Sequence, residues 1–264
     1  MGTACFMDIS SIVGLSLAVL ALLGAILMEG ISLSGMLNLP ALVIILGGTI
    51  GATMFSFPMR EIQRVPALLI KTFTRDKINI DELIDNLVRL AEIARREGLL
   101  ALETYANQEE NPLLRNGLGF AIDGIDPEEI RRVMENEIFQ RQRQAKQAAA
   151  IFETAGGYAP TMGIIGTVVG LVHVLSNISD VNQLAGSIAV AFLATFYGIT
   201  SANILWLPIA AKLKAKAAEE VVANQIILDG VLGIVQGKNP RLIRRELEIL
   251  KLQEKPSPER RREE

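Results

Sequence analysis

Two threonines lie in two long apolar stretches of the chain. Thr167 falls in residues 156–178 and Thr195 in residues 184–210, and neither stretch contains Asp, Glu, Lys or Arg. Their hydroxyl oxygens can bind a cation, although a threonine in a helix also bonds to its own preceding turn. A bare cation is costly inside a membrane, so ion passage usually needs a carboxylate at that depth. If this chain serves ion flow, a partner helix must supply the carboxylate.

The chain lacks the sequence motifs of soluble enzymes. Its one histidine is His173 and its one cysteine is Cys5, which excludes a multi-histidine metal site and an internal disulfide. No phosphate-binding glycine loop is present. His173 lies in an apolar stretch and is either functional or a neutral, hydrogen-bonded residue. We expect no catalytic residue, metal, cofactor or nucleic-acid partner.

Four uncharged stretches predict transmembrane helices at residues 9–27, 37–57, 156–178 and 184–210. The first would span about 28 Å, close to the thickness of the hydrocarbon core. Half of the residues are hydrophobic, yet 21% are charged, so the membrane part must be joined to a substantial aqueous part.

Positive charge shows which side the aqueous part faces. All 26 Lys and Arg residues lie between Arg60 and Lys146 or between Lys212 and Arg262. Cytoplasmic loops carry such an excess of positive charge. We therefore expect both basic blocks and both termini in the cytoplasm.

Capping patterns within the first basic block predict helices. Asn79 with Glu82 predicts a helix start, Gly98 a helix end, and Asp126 before a proline a second start. The fold class that follows is an all-α integral membrane protein with four transmembrane helices and a helical cytoplasmic domain between the second and third. The domains are residues 1–57, a transmembrane hairpin; 58–155, the cytoplasmic domain; 156–210, a second hairpin; and 211–264, a helical cytoplasmic tail with a disordered end.

Small residues line one face of each of the last two membrane helices. Such faces mark close helix contacts, either within this chain or in an oligomer, and alternatively form a smooth wall against a second protein. Pro160 and Pro208 lie near the inner ends of these helices, where each removes a backbone donor and can kink its helix. The small residues are Gly163, Gly166 and Gly170 in one helix and Ser187, Ala191, Ala194, Gly198 and Ala202 in the other.

Over nearly its whole length the chain resembles the A-subunits of bacterial flagellar stators, the MotA/PomA family. The resemblance rests on the opening DISSIVGL and on three longer runs. It also covers the order of two hairpins, cytoplasmic insert and basic tail. The longer runs are AEIARREGLLALE, GGYAPTMGIIGTVVGLVHVL and AFLATFYGITSANILWLPIA.

The resemblance implies a homo-oligomeric ring, a pentamer, around a B-subunit that carries the membrane aspartate. The complex would sit in the bacterial inner membrane and pass protons or sodium ions, with the coupling ion left open. Arg95, Arg96 and Glu103 would contact the rotor protein FliG. The family's ion-path positions fall on Thr167 and Thr195, and its coupling prolines on Pro160 and Pro208.

Two alternatives stay open at this point. An ExbB/TolQ-like energiser of outer-membrane processes belongs to the same superfamily, but such proteins carry one span before the cytoplasmic domain, whereas two precede it here. A membrane scaffold without ion flux would also be compatible with the small-residue faces.

Overall fold

The computed structural model of the protein describes residues 8–74, 79–176 and 181–253, and helices are the regular elements of these ranges, which confirms the all-α class. A 3-10 helix covers Leu99–Leu102, and π-helical turns cover Val43–Gly47 and Ala202–Trp206. The α-helices are α1 (Ile9–Met28), α2 (Leu39–Leu42), α3 (Gly48–Ser56), α4 (Met59–Ile62), α5 (Val65–Phe73), α6 (Ile80–Glu97), α7 (Glu103–Gln108), α8 (Pro112–Ile122), α9 (Pro127–Ser176), α10 (Val181–Ser201), α11 (Leu207–Val235) and α12 (Pro240–Gln253).

Within the described residues, four helices are long and apolar enough to cross a membrane: Ile9–Met28, Leu39–Ser56, Pro127–Ser176 and Ala191–Val235. The last two are much longer than a membrane is thick, so only part of each can lie in lipid. Pro160 lies inside α9 without ending it.

Side-chain caps explain where the helices start. The Asn79 side chain accepts the amide of Asp81 at 3.2 Å and donates to Glu82 at 2.8 Å. Asp126 accepts the amide of Glu128 at 2.9 Å, directly before Pro127. These bonds satisfy amides that the first helical turn leaves unpaired. The two helix starts predicted from the sequence are therefore confirmed.

The segment after the first hairpin departs from its sequence pattern. Apolar residues recur at helical spacing between Ile62 and Phe73 and predict one amphipathic helix, but the structure has α4 and α5 with a break at residues 63–64. Pro66 lies in the first turn of α5. Proline disfavours helical geometry in the residue before it and has no amide to donate, so it starts a helix more readily than it continues one.

Contacts divide the described residues into two compact units. The first, called the membrane unit, is drawn from Met1–Arg75 and Ala145–Lys214. One of its apolar clusters surrounds the buried ring of Phe152, with the Trp206 ring centre 6.5 Å away. A smaller cluster contains Ala41, Ile45 and Ala194. No residue of α1 is buried.

The second, called the aqueous unit, is drawn from Asp76–Gln144 and Ala215–Glu264. Its core consists of one face each of α6, α8 and α12 with the parts of α9 and α11 that belong to this unit. Leu87 is fully buried there, and Gly230 of α11 lies against its side chain. Burial of one such leucine contributes about 1.5–3 kcal/mol to folding. The aqueous unit thus has an apolar core of its own.

Two π-helical turns interrupt the second and fourth membrane helices. The turn Val43–Gly47 joins α2 to α3, and the turn Ala202–Trp206 joins α10 to α11. Pro208 lies two residues after the end of the second turn, as the second residue of α11. π-helical turns are rare and often occur at functional sites, and neither turn is predicted by the sequence analysis.

Candidate functional site

The two threonine hydroxyls meet between α9 and α10 in the membrane unit. Thr167 and Thr195 are hydrogen-bonded to each other through their side-chain oxygens, and both side chains are half-buried. The Thr167 hydroxyl also lies 3.1 Å from the Gly163 carbonyl oxygen and 3.0 Å from that of Ala191. The Thr195 hydroxyl lies 3.3 Å from the Gly163 carbonyl oxygen. Two hydroxyl and two carbonyl oxygens therefore form one cluster, called the oxygen cluster.

The cluster exists because α9 and α10 approach each other closely. A methyl group at Gly163 would lie 3.0 Å from the Thr195 Cα, and one at Gly198 would lie 2.5 Å from the Ala159 carbonyl oxygen. Both neighbours are backbone atoms, which cannot turn aside as a side chain can. Only glycine permits this separation.

The same contact decides between two interpretations of the small-residue faces. Gly166 and Gly170 lie against Ala194 and Ala191, so these faces pack against each other inside the chain. Packing within the chain is confirmed for these residues, and the alternative of a smooth wall facing a second protein is wrong for them. The physical reason is that the glycines let α9 and α10 approach so closely that their small-residue faces contact each other. The same approach lets the two threonines meet. The side chain of Ser187 lies outside the described residues.

The oxygen cluster can do one kind of chemistry. Hydroxyl and carbonyl oxygens are ligands for hard cations and relays for protons, and neither is a strong acid or base. Among the described residues no group of three or more His, Cys, Asp or Glu side chains is placed to hold a metal ion. The four apolar stretches contain no Asp or Glu at all. The cluster therefore offers coordination without the negative charge that would hold a permeating cation at this depth.

The two prolines flank a contact near the same end of the membrane unit. Pro160 lies one turn after Gly156, where a methyl group would lie 2.6 Å from a Leu207 side-chain carbon. Pro208 is the next residue after Leu207, and its ring nitrogen has no hydrogen to donate to the preceding turn. The prolines are thus close to a tight crossing of α9 and α11, and neither supplies an oxygen atom to the oxygen cluster.

The predicted rotor residues lie together in the aqueous unit. Arg95 and Arg96 occupy the last turn of α6, and Glu103 begins α7. Gly98 ends α6 with a φ of 88°, in the left-handed region that favours glycine. All three charged side chains are exposed, and none has an ion-pair partner within the described part of the chain. Leu100, between them, is 73% exposed.

Sequence reasoning missed a polar junction at the start of α1. The Asp8 carboxylate forms an ion pair with Lys212 and accepts the hydroxyls of Ser11 at 2.8 Å and Ser10 at 2.9 Å. Its backbone amide donates to the Phe73 carbonyl at 2.9 Å. The Lys212 ammonium, followed by the Ser11 hydroxyl, holds the pKa of the Asp8 carboxyl well below its usual range. Nothing in the sequence pairs two residues so far apart.

A second missed contact involves Tyr197, which the sequence shows only as one polar residue among many. Its hydroxyl accepts the Asn38 amide at 3.1 Å and donates to the Met36 carbonyl. The tyrosine thereby satisfies backbone groups at the start of the second membrane helix, which lipid would leave unpaired. His173 is exposed near the end of α9, and Cys5 lies outside the described residues.

Two family models match the sequence and together cover most of it. The model of the MotA/TolQ/ExbB proton channel family matches residues 105–226, and that of the motility protein A N-terminal region matches residues 12–98. The oxygen cluster falls within the first of these matches, and Arg95, Arg96 and Gly98 fall within the second, whereas Glu103 lies between the two matched ranges.

Relatives match almost end to end. Motility protein A of Bacillus subtilis is 40% identical over 91% of this chain and 90% of its own. The structure of the flagellar MotAB stator complex from Bacillus subtilis matches with a TM-score of 0.87 at 39% identity, over 97% of this chain and 99% of that chain. The structure of C. jejuni MotAB matches with a TM-score of 0.88 at 33% identity, over 92% of this chain and 96% of that chain.

Proposed function

This chain belongs to the motility protein A branch of the MotA/TolQ/ExbB proton channel family, and from that membership we propose that it is the A-type stator subunit of a bacterial flagellar motor. With a B-type subunit it forms a complex that conducts cations and turns the rotor. It is not an enzyme. It takes no cofactor in this proposal, since the proton or sodium ion is the species that it transports. Motility protein A of Bacillus subtilis and two MotAB stator structures match the chain almost end to end, so the ExbB/TolQ-like alternative is not favoured.

The oxygen cluster is the observation that carries the proposal. Thr167 and Thr195 bring two hydroxyls together in a membrane unit without a carboxylate in its spans. A cation crossing this region gains oxygen ligands from α9 and α10 and needs its negative counterpart from another chain. A membrane aspartate of the B-type partner fits that role, and Pro160 and Pro208 allow the surrounding helices to move as the ion passes.

The α6–α7 turn supports the second half of the function. Arg95, Arg96 and Glu103 are exposed charges without ion-pair partners among the described residues, so they are available to charges of opposite sign on the rotor protein FliG. Exposed charges steer and orient a partner more than they tighten binding. Weak, oriented contacts suit a stator that must release the rotor after each step.

The assembly and its location complete the proposal. Copies of this chain form a closed ring, a pentamer, around the B-type helices in the bacterial inner membrane. Residues 58–155, residues 211–264 and both termini lie in the cytoplasm in this proposal, which the positive charge of the two basic blocks supports. The membrane hairpins are residues 1–57 and 156–210.

Complementation tests this function directly. The chain and its B-type partner are expressed in a strain that lacks its own stator, and swimming is measured while pH and sodium concentration are varied separately. We expect restored swimming that depends on one of the two cations. Continued paralysis, with both proteins present in the membrane, would contradict the proposal.

A further inference from the structure

A cavity of about 310 Å³ in the membrane unit has no role in the function proposed above. Its walls come from α1, from α5 and from the segment that contains Pro208. The volume is at the lower end of the range typical of ligand sites, about 300–1,000 Å³. It is called here the α1 cavity.

The α1 cavity has one polar end. Ser10 and Lys212 line it beside the Asp8 ion pair, and the Lys212 ammonium lies 3.4 Å from the Ser10 hydroxyl. The side chains of Lys212 and Asp8 remain 31% and 17% exposed. An ammonium has three donors, and the carboxylate and the hydroxyl use two. This end therefore presents a positive and a negative group together, with capacity left on the ammonium.

The rest of the cavity is apolar. Leu15 and Ala18 line it from α1, and Ala18 lies about 12 Å beyond Ser10 along the helix. Leu205 lines it from the opposite wall. Two polar side chains there bond to their own helices, because Thr72 donates to the Leu68 carbonyl at 2.9 Å and Asn203 donates one amide hydrogen to the Ile199 carbonyl at 2.9 Å. From one end to the other, the lining changes from charged to apolar.

The change from a charged to an apolar lining agrees with the direction in which the chain crosses the membrane. Lys212 begins the second basic block, which the charge distribution places on the cytoplasmic side. The polar end then lies at the inner surface and the apolar end in the hydrocarbon of the inner leaflet. Because α1 buries none of its residues in the protein, the cavity face of this helix is open to lipid.

We propose that the α1 cavity binds one phospholipid of the inner leaflet whose head group carries an amine. An acyl chain lies between α1 and the segment around Pro208, the phosphate faces Lys212, and the amine faces Asp8. A zwitterionic head group matches the paired charges at this end, whereas an anionic head group without an amine adds a negative charge beside the Asp8 carboxylate and brings no positive charge to balance it.

Native mass spectrometry of the purified protein, with any subunits that copurify, tests this site. The protein is exchanged into micelles with equal amounts of phosphatidylethanolamine and phosphatidylglycerol before measurement. We expect one phosphatidylethanolamine retained per chain. Retention of phosphatidylglycerol in equal amount, or of no lipid, would overturn the proposal.

Two variants locate the lipid, and a matched variant controls for the substitution. Ala18→Trp fills the apolar part and should lose the retained lipid, while Ser16→Trp, on the opposite face of α1, should keep it. Lys212→Met should keep the cavity and weaken retention of phosphatidylethanolamine, because the lipid phosphate loses the ammonium that it faces. If Ala18→Trp does not fold, the Lys212→Met variant and the wild-type measurement still test whether the lipid binds in the α1 cavity.

A protein neighbour in the cavity would give a different result. Wild-type protein without retained lipid, together with cross-linking of an Ala18→Cys variant to a second copy or to a copurifying subunit, would assign the cavity to that neighbour and refute a lipid site.

Discussion

At the scale of single residues, the oxygen cluster depends on two hydroxyls with unequal surroundings. Thr167 has three oxygen atoms within hydrogen-bonding distance, whereas Thr195 has two. Removal of the Thr195 hydroxyl therefore leaves Thr167 with the carbonyl oxygens of Gly163 and Ala191 as acceptors. A change at Thr195 should therefore affect cation passage more than the stability of the fold, so Thr195 is the more informative position to mutate.

Thr195→Val keeps the branched shape and removes one oxygen ligand. A hydrogen bond or ligand contact to a charged group is worth about 1.5–3 kcal/mol. We therefore expect the affinity for the coupling cation to fall on the order of tenfold or more. Swimming speed against sodium concentration and against pH measures it, with Thr195→Ser as the control that keeps the hydroxyl. A valine variant identical to wild type with both cations would remove Thr195 from the ion path.

Arg95→Glu reverses an exposed charge in the last turn of α6. The folding cost is small, about 0.3–1 kcal/mol, because a positive charge there favours the helix dipole only modestly. We expect lower torque with unchanged amounts of protein in the membrane. Torque on tethered cells measures this, and Arg143→Glu, also exposed but distant in sequence from the α6–α7 turn, is the control. Equal torque in both variants would exclude Arg95 as a rotor contact.

The sequence identified these residues better than it identified their contacts. Thr167 and Thr195 stand out because each is a hydroxyl in an acid-free stretch, but helical periodicity does not say which residues of α9 and α10 face each other. Their meeting depends on the packing register of two helices, which Gly163 and Gly198 set through backbone contacts. Asp8 and Lys212 carried no sequence signal, since neither has an unusual local pattern.

At the scale of elements, glycine controls the spacing of α9 and α10. Lipid gives two apolar helices no hydrophobic reason to associate, so close packing and hydrogen bonds must hold them together. The oxygen cluster is a consequence of that spacing, since longer side chains at the crossing would separate the two hydroxyls.

Gly198→Ala should destabilise the membrane unit. The added methyl group lies 2.5 Å from a backbone oxygen, and such overpacking costs about 1–3 kcal/mol. Gly186→Ala, on the same helix with nothing within 4 Å of the added methyl group, should be neutral or stabilising by up to about 1 kcal/mol. Thermal unfolding in detergent compares the two. Equal unfolding temperatures would mean that α9 and α10 are not in close contact.

Asp8→Asn should loosen the start of α1. The pKa of Asp8 is lowered in the folded protein, so the ion pair stabilises the fold above the ordinary pKa of 3.8, and that stabilisation is lost as the pH falls below it. We expect a lower unfolding temperature than wild type at pH 7 and a difference that shrinks below pH 3.8. Glu29→Gln, at the other end of α1, is the control. A difference that stays constant with pH would show that the Asp8 charge is not responsible.

The elements show where sequence patterns succeed and fail. Cap residues such as Asn79 and Asp126 act within one turn, so a local pattern is enough to predict the helix start. The π-helical turns at Val43–Gly47 and Ala202–Trp206 are rare departures from α-helical geometry, and the apolar patterns that predict the membrane helices do not predict them.

At the scale of the whole molecule, the candidate functional residues lie in two different units. The membrane unit carries the oxygen cluster, and the aqueous unit carries the exposed charges of the α6–α7 turn. The helices α9 and α11 each contribute residues to both units. Uncharged stretches and the distribution of Lys and Arg predict separate membrane and cytoplasmic segments, because lipid excludes charge far more strictly than a protein core does. The membrane unit also takes in residues 58–74, 145–155 and 211–214 of the predicted cytoplasmic segments.

The central claim is that ion passage requires a carboxylate from another chain. It is tested by reconstituting the purified chain into liposomes, alone and together with its B-type partner, under an imposed proton or sodium gradient. We predict no selective cation flux from the chain alone and a flux that appears with the partner and disappears when the membrane aspartate of the partner becomes asparagine. A robust, selective flux through this chain by itself would contradict the account.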